Sequence, residues 1–303
     1  MTEWTQPAPI KVLVTGCHGQ VAHELVALGR LDSHFEMIPL DVNAMDVCSP
    51  DSISAALDTY LPDFVVNTAA FNKVDAAEHE HEKSFALNRN AVGELAKACG
   101  ALSIPVVHLS TDHLFDGHYA SGYSEEDEVS PLGVFGESKR QGEELLRQYQ
   151  PRHIILRVSW IFSARGDNYL LRMLHKARTD CAIEAADDRR GCPTSAADVG
   201  RVILAMIKQL HSGADSWGTY HYCGAEVTTR YRFTEAILAG ARQYEALKTE
   251  ELVPVPSKAL HVEVERPASS VLKCKKLLST FGIRQRPWRN ELAAVLREIY
   301  RKE

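Results

Sequence analysis

The sequence predicts an α/β fold: a doubly wound parallel sheet followed by a smaller, mostly C-terminal α/β domain. Three observations lead there. A β-branched run, Val12-Leu13-Val14-Thr15, ends in a glycine turn and leads into a helical pattern that reaches Glu24. Strand-like and helix-like patterns then alternate up to Ser110, which is how parallel βαβ units read. Beyond Ser163 the alternation fades into turn-rich pieces between helices.

The opening turn reads Gly16-Cys17-His18-Gly19-Gln20-Val21-Ala22. Gly16 permits the tight turn, and Gly19 lets backbone approach a pyrophosphate resting on the positive end of the helix. The third small position is Ala22. This is the short form of the dinucleotide-binding, Rossmann-type fingerprint, although an ordinary turn before a helix has the same look. The next strand, Glu36–Asp41, ends in Asp41, about 20 residues past the glycines, where a carboxylate accepts hydrogen bonds from an adenine ribose. No Arg or Lys lies between Leu40 and Ser49 to hold a 2′-phosphate, so of NADH and NADPH the expected coenzyme is NADH. Asp46 borders the adenine, or serves as a loop acid or a cap for the helix that starts near Ser49-Pro50-Asp51.

Phe64–Asn67 reads as a buried strand, followed by Thr68-Ala69-Ala70, small residues against which a coenzyme can lie. A polar helix then carries Glu78-His79-Glu80-His81-Glu82. Residues two apart point to different faces of a helix, so this segment reads as solvated surface and no metal is expected there. Asn88–Cys99 is the next amphipathic helix, and Pro105–Ser110 the next strand. Ser110-Thr111-Asp112-His113 ends that strand at the ligand edge of the sheet. After an acidic loop come a helix through Val134–Lys139, the strand Ile154–Val158, and Ser159-Trp160. Gly191–Thr194, Gly218–Tyr222 and Arg266–Ser270 read as turn-rich pieces. The division is therefore residues 10–163, a coenzyme-binding domain, and 164–303, mostly a substrate-binding domain from which some segments return to the first.

Composition narrows the function. The 303 residues are 45% apolar and 24% charged, with a net charge of −6, which disfavours a nucleic-acid partner. No apolar run reaches the roughly 18–20 residues of a membrane span, so no membrane partner is expected. Met1–Ile10 reads as a loose leader rather than a secretory signal. Seven cysteines, none in a Cys-x-x-Cys pair, suit buried thiols of a reducing cytoplasm.

Together these segments resemble the extended short-chain dehydrogenase/reductases, and within them the dTDP-4-dehydrorhamnose reductase family. The resemblance spans Lys11 to Tyr300. It rests on Thr15-Gly16-x-x-Gly19-Gln20-Val21, Asn67-Thr68-Ala69-Ala70, Val74-Asp75-x-x-Glu78 and Ser110-Thr111-Asp112-x-x-Phe115-Asp116-Gly117. It continues through Pro131-Leu132, Gly136-x-Ser138-Lys139-x-x-Gly142-Glu143, Arg157-x-Ser159-Trp160, Gly191-x-Pro193-Thr194 and Arg266-Pro267. The resemblance implies a homodimeric enzyme that passes a hydride from NAD(P)H to C4 of a nucleotide-linked 4-keto-6-deoxyhexose. It implies coenzyme contacts at Gly16, Gly19, Gln20, Val21, Asp41, Asp46, Val47, Ala69, Ala70, Phe71 and Lys139. On the substrate side it implies Thr111, Asp112, His113, Trp160 and Arg266, with a core role for Trp160 and a surface salt bridge for Arg266 as the alternatives. Glu24 and Glu298 match two glutamates through which some members share magnesium at the dimer interface; the third position is Ala197, with Asp198 beside it, so a dimer is expected without the metal.

One position departs from the family. Its catalytic trio is Thr, Tyr and Lys; Thr111 and Lys139 are present, but the middle position is Phe135. The phenylalanine keeps the ring and loses the acid. Either Phe135 was introduced to trap a complex, or it belongs to a protein that binds without turnover, or another group donates the proton. His113, where the family has tyrosine, is the candidate donor; otherwise it shapes the pocket. Two functions follow: a nucleotide-sugar ketoreductase, impaired or altered by Phe135, or a coenzyme-binding regulatory or scaffold protein. An epimerase or dehydratase of the same fold needs an added acid–base pair that the sequence does not supply.

Overall fold

The computed structural model describes residues 8–260 and 264–301. Of the leader expected over Met1–Ile10, residues 1–7 lie outside the described part, and Ile10 already begins a strand. The first half reads β1 (Ile10–Thr15), α1 (Gln20–Arg30), β2 (Phe35–Leu40), α2 (Pro50–Tyr60), β3 (Phe64–Asn67), α3 (Val74–Ala77), α4 (His81–Phe85), a π-helical turn (Ala86–Asn90), α5 (Ala91–Ala101), β4 (Val106–Thr111), α6 (Val134–Tyr149) and β5 (His153–Val158). The second half reads β6 (Ile161–Phe162), α7 (Tyr169–Thr179), β7 (Ala182–Ala186), β8 (Arg190–Gly191), β9 (Thr194–Ser195), α8 (Ala196–His211), β10 (Gly218–Tyr222), β11 (Thr228–Thr229), α9 (Arg230–Ala241), β12 (Glu251–Val255), β13 (Ser269–Ser270), α10 (Lys275–Phe281) and α11 (Trp288–Arg301).

Six parallel strands form the central sheet in the order β10-β5-β4-β3-β1-β2. The chain leaves β1 for β2 on one side and comes back to β3 on the other. Strand order thus reverses between β1 and β3, and open α/β sheets hold their ligands beyond the strand ends at such a point. Both faces of the sheet are covered. Val12, Leu13 and Val14 are each 0% exposed. Val12 and Val14 pack with Leu25 of α1 and Val199 of α8, while Leu13 faces Ile53 of α2 and Leu95 of α5. That two-sided burial is why β1 is continuously apolar rather than alternating. A separate core around Phe162, Leu174, Phe233 and Trp288 joins α7, α9 and α11.

The structure departs from the sequence reading in three places. Gly218–Tyr222 is not a turn-rich piece but β10, paired with β5 along its whole length. Gly218 enters it at φ +124, where glycine is favoured, so a turn residue heads a strand. With it returns α8, which lies so close on α1 that a Cβ at Gly200 would meet the Leu25 Cα at 3.0 Å. The polar helix near residue 80 is two short helices, α3 and α4, broken at Glu78–Glu80. Glu78 is used elsewhere: its Oε1 accepts the Val134 N–H at 2.7 Å and thereby caps α6. Asn88 falls in the π-helical turn rather than opening a regular helix.

Candidate active site

At the C-terminal ends of β1 and β3 the missing side chains matter most. Gly16 has φ +66, and a Cβ there would lie 2.9 Å from the Ala69 amide nitrogen. Gly19 precedes α1 with no side-chain cap, which leaves first-turn N–H groups for a ligand. This glycine cradle fits the pyrophosphate of a dinucleotide. Ala69 and Ala70 line the same edge, half-buried. Phe71 is held through its backbone, its N–H and C=O each 2.9 Å from the Asn88 amide. Gln20 Oε1 accepts from Ser163 Oγ at 3.0 Å, tying the start of α1 to the loop before α7. Val21 and Val47 are both buried in the core.

Asp41 follows β2 directly. Its Oδ1 accepts the N–H groups of Ala44 and Asn43, both at 3.0 Å. Those bonds, with the nearby His18, lower the carboxyl's pKa, so Asp41 is ionised at neutral pH. Asp46 accepts the Cys48 N–H at 2.9 Å, and the cap of α2 is Ser49 rather than Asp46.

Thr111 ends β4. Its Oγ1 accepts the His113 N–H at 3.2 Å and donates to Asp112 Oδ1 at 3.3 Å. Asp112 is 5% exposed, and its Oδ2 has no partner among the described residues. A buried acceptor left over in this way is available to a ligand hydroxyl.

Helix α6 is clamped against this edge by small residues. A Cβ at Gly136 would lie 2.3 Å from the His113 carbonyl oxygen, and one at Gly142 would lie 2.0 Å from that of Asn88. Ser138 Oγ donates to the Phe135 carbonyl at 2.8 Å and accepts from Asn88 Nδ2 at 3.0 Å. The spacing Gly136-x-Ser138-Lys139-x-x-Gly142 is therefore a packing requirement. It turns Phe135 and Lys139, one helical turn apart, to the buried side. The Phe135 ring meets His113 edge-on, with centroids 5.4 Å apart and planes at 77°.

Lys139 is 3% exposed. Its Nζ donates to the Leu109 carbonyl at 2.6 Å and lies 3.1 Å from His108 Nε2. Burial pushes its pKa down to about 8, against the pull of Glu143. His108 continues inward: its Nδ1 is 3.1 Å from Asn67 Nδ2, and Asn67 Oδ1 accepts from Thr15 Oγ1 at 2.7 Å. A line of four side chains thus runs beneath the site from the glycine turn to the lysine. Sequence reasoning passed over His108, although a histidine inside an apolar central strand must have partners when buried.

The other wall comes from the second half of the chain. Trp160 sits at φ +48 in the left-handed region. A Cβ at Gly191 would lie 2.3 Å from its Cε2, so the indole lies flat on that backbone. The Arg230 guanidinium covers it at 3.6 Å from the ring centroid and covers Tyr169 at 4.4 Å. Burial lowers the pKa of His113; Asp112 opposes this, and the positive charges of Arg266, Arg230 and Arg189 add to it. All three charges disfavour an imidazolium at His113. Neither Arg189 nor Arg230 belongs to a motif that singles it out. Arg266 forms the salt bridge with Asp75, 2.7 Å, while its Nη1 has no partner among the described residues. Away from this pocket, Glu298 pairs with Arg165 at 3.3 Å, and Asp198 is buried against Arg201 at 2.7 Å.

The chain matches the model of the RmlD substrate binding domain family over residues 10–301. It is 34% identical over 283 residues to a dTDP-4-dehydrorhamnose reductase of Sinorhizobium fredii, covering 92% of this chain and 94% of the relative. It is 31% identical over 297 residues to that of Escherichia coli, covering 96% and 98%. Among solved structures, a dTDP-4-dehydrorhamnose reductase of Clostridium acetobutylicum superposes with a TM-score of 0.89 at 26% identity, covering 96% of this chain and 99% of that one. One of Bacillus anthracis in complex with NADP gives 0.86 at 25% identity, with the same coverage. The chain belongs to the RmlD substrate binding domain family.

Proposed function

We propose that this family member is an NAD(P)H-dependent nucleotide-sugar reductase. It reduces the C4 ketone of a dTDP-4-keto-6-deoxyhexose, a step of dTDP-L-rhamnose synthesis, with proton transfer slowed by Phe135. One observation supports the reading: α6 sets Lys139 on the Leu109 carbonyl and the Phe135 ring on His113, to either side of Thr111 at the end of β4, on the sheet that also carries the glycine turn. The relatives' names support the substrate, and the NADP complex of the Bacillus anthracis protein supports the coenzyme class.

A reduced nicotinamide, when bound, supplies the hydride. The chain's own groups hold and polarise the ketone. Thr111 donates to the carbonyl oxygen once its hydroxyl leaves Asp112, and Asp112 takes a sugar hydroxyl on its free Oδ2. Lys139 turns to the ribose hydroxyls of the coenzyme. Arg189, Arg230 and Arg266 give the pocket the positive charge a diphosphate requires, with guanidiniums suited to paired hydrogen bonds. Trp160, pinned between Gly191 and Arg230, forms the wall against the sugar. Phe135 occupies the proton donor's place with no proton to give. His113 does not replace it, because its lowered pKa keeps the imidazole neutral at neutral pH; it shapes the pocket.

Ionised Asp41 at the ribose edge repels a 2′-phosphate, so NADH is the preferred coenzyme. Assembly as a homodimer belongs to the same reading and is tested by light scattering. The central test follows reduced-coenzyme absorbance with a dTDP-4-keto-6-deoxyhexose. Slow turnover with NADH favoured is the expected result; failure to bind either coenzyme overturns the reading. The alternative favoured by Phe135, a coenzyme-binding scaffold, takes its place if turnover is absent and a partner protein binds tightly.

A further inference from the structure

The proton positions beneath the site can be worked out from hydrogen-bond geometry. The Ala69 N–H points at Asn67 Oδ1, 3.2 Å away, and an N–H can only donate. Thr15 Oγ1 donates to the same oxygen at 2.7 Å. Asn67 therefore presents its amide nitrogen, a donor, to His108 Nδ1 at 3.1 Å. A neutral imidazole that accepts at Nδ1 carries its proton on Nε2. That proton faces Lys139 Nζ at 3.1 Å, while Nζ gives a hydrogen of its own to the Leu109 carbonyl at 2.6 Å. An ammonium there meets a second donor; an amine, with its lone pair, completes the line.

We propose that His108 is a positioning residue that favours the neutral amine of Lys139 in the coenzyme-free protein, so that at alkaline pH coenzyme binding draws in a proton as the lysine turns away. The inference rests on the coenzyme reading above. The surrounding charges are consistent with it. His108 is fully buried, and burial keeps it from becoming an imidazolium. Glu143, one turn along α6, would favour the ammonium, but its carboxylate is already taken by Arg157 at 2.9 and 2.7 Å and by Arg147 at 2.6 Å. His153 on β5 is bonded to the Gln150 carbonyl at 2.6 Å, and burial lowers its pKa also. Lys139's own pKa, about 8, places the change within reach of ordinary buffers. The arrangement links Thr15, beside the glycine turn, to the lysine that must meet the ribose.

Two measurements test it. The first is ¹⁵N NMR of the free, full-length protein with labelled histidine, the His108 signal being assigned by its loss in His108→Gln. The expected result is the Nε2–H tautomer at about pH 9, where the amine dominates; an Nδ1–H tautomer or an imidazolium at that pH overturns the inference. The second is calorimetric titration with NADH at about pH 9, in two buffers of different ionisation enthalpy. The wild-type protein is expected to take up close to one proton per coenzyme. In His108→Gln the side chain can turn its carbonyl to an ammonium, so uptake should fall below about half of that. Coenzyme binding without proton uptake, or equal uptake in the variant, overturns this inference and leaves the coenzyme reading intact. Failure to bind coenzyme at all sinks the coenzyme reading instead, and the tautomer then decides the inference alone.

Discussion

Phe135→Tyr adds one oxygen at the place where the site lacks an acid. The ring already has its place: Phe135 is 7% exposed, its carbonyl is held by Ser138, and its edge lies against His113. A positioned general acid is worth ~10²–10⁴ in rate, or about 3–5 kcal/mol of barrier. The added hydroxyl has its own cost. If it found no partner, a buried polar group would cost roughly 1–3 kcal/mol of stability, so melting should fall by a few degrees. Steady-state reduction of a dTDP-4-keto-6-deoxyhexose should show kcat up by ~10²–10⁴ with KM changed only a few-fold, because the phenol acts mainly in the transition state. A folded Phe135→Tyr protein that binds coenzyme and sugar yet turns over no faster than wild type would falsify the assignment of position 135.

Further outcomes follow from the same geometry. In Lys139→Met the buried charge disappears. The shift from 10.5 to about 8 corresponds to roughly 3 kcal/mol of penalty below the folded pKa. The unfolded chain holds more protons than the folded one between those values, so wild-type stability rises with pH across that window. Chemical denaturation should therefore find the methionine variant more stable near neutral pH, with the advantage shrinking toward alkaline pH, although coenzyme binding is lost. His113→Ala should raise KM for the sugar and leave the pH dependence of kcat unchanged; disappearance of a limb along which activity falls with rising pH would instead make His113 the donor. Gly16→Ala, at φ +66 and 2.9 Å from backbone, should cost about 1–3 kcal/mol and weaken NADH binding measured by fluorescence. Asp41→Asn should shift the ratio of kcat/KM toward NADPH, and an unchanged ratio would remove Asp41 from coenzyme choice.

The parallel sheet was legible because each strand of the first half is apolar and is punctuated by glycine or small residues. Gly16 and Gly19 announced the turn into α1 locally, whereas the cap of α2 falls to Ser49 and not to Asp46. What escaped is what no local pattern encodes. Gly218–Tyr222 looks like a turn followed by aromatics, and only pairing with β5 makes it a strand. Glu78 looked like part of a helix and is the cap of another, 56 residues later in the chain. Arg230 reaches Trp160 and Tyr169 from α9, 70 and 61 residues away in the chain, so their meeting is tertiary. Asp41, Thr111 and Lys139 stand out as candidates in the sequence because their motifs are short and continuous.

The packing around α6 also bears on what Phe135 means. Residue 135 is oriented by groups that never touch its para position: the Glu78 cap, the close approach at Gly136 and Gly142, and the Ser138–Asn88 bond. None of these depends on a phenol. Loss of the hydroxyl therefore leaves the helix, Lys139 and the coenzyme cradle in place, and the ring still fills its space against His113. A binding site whose proton donor was lost through collapse of its scaffold would show that collapse at Gly136 or Ser138. On the proposed reading the deficit is a single oxygen atom, which is why adding that atom is the sharpest separation between an impaired reductase and a scaffold: only the reductase gains turnover.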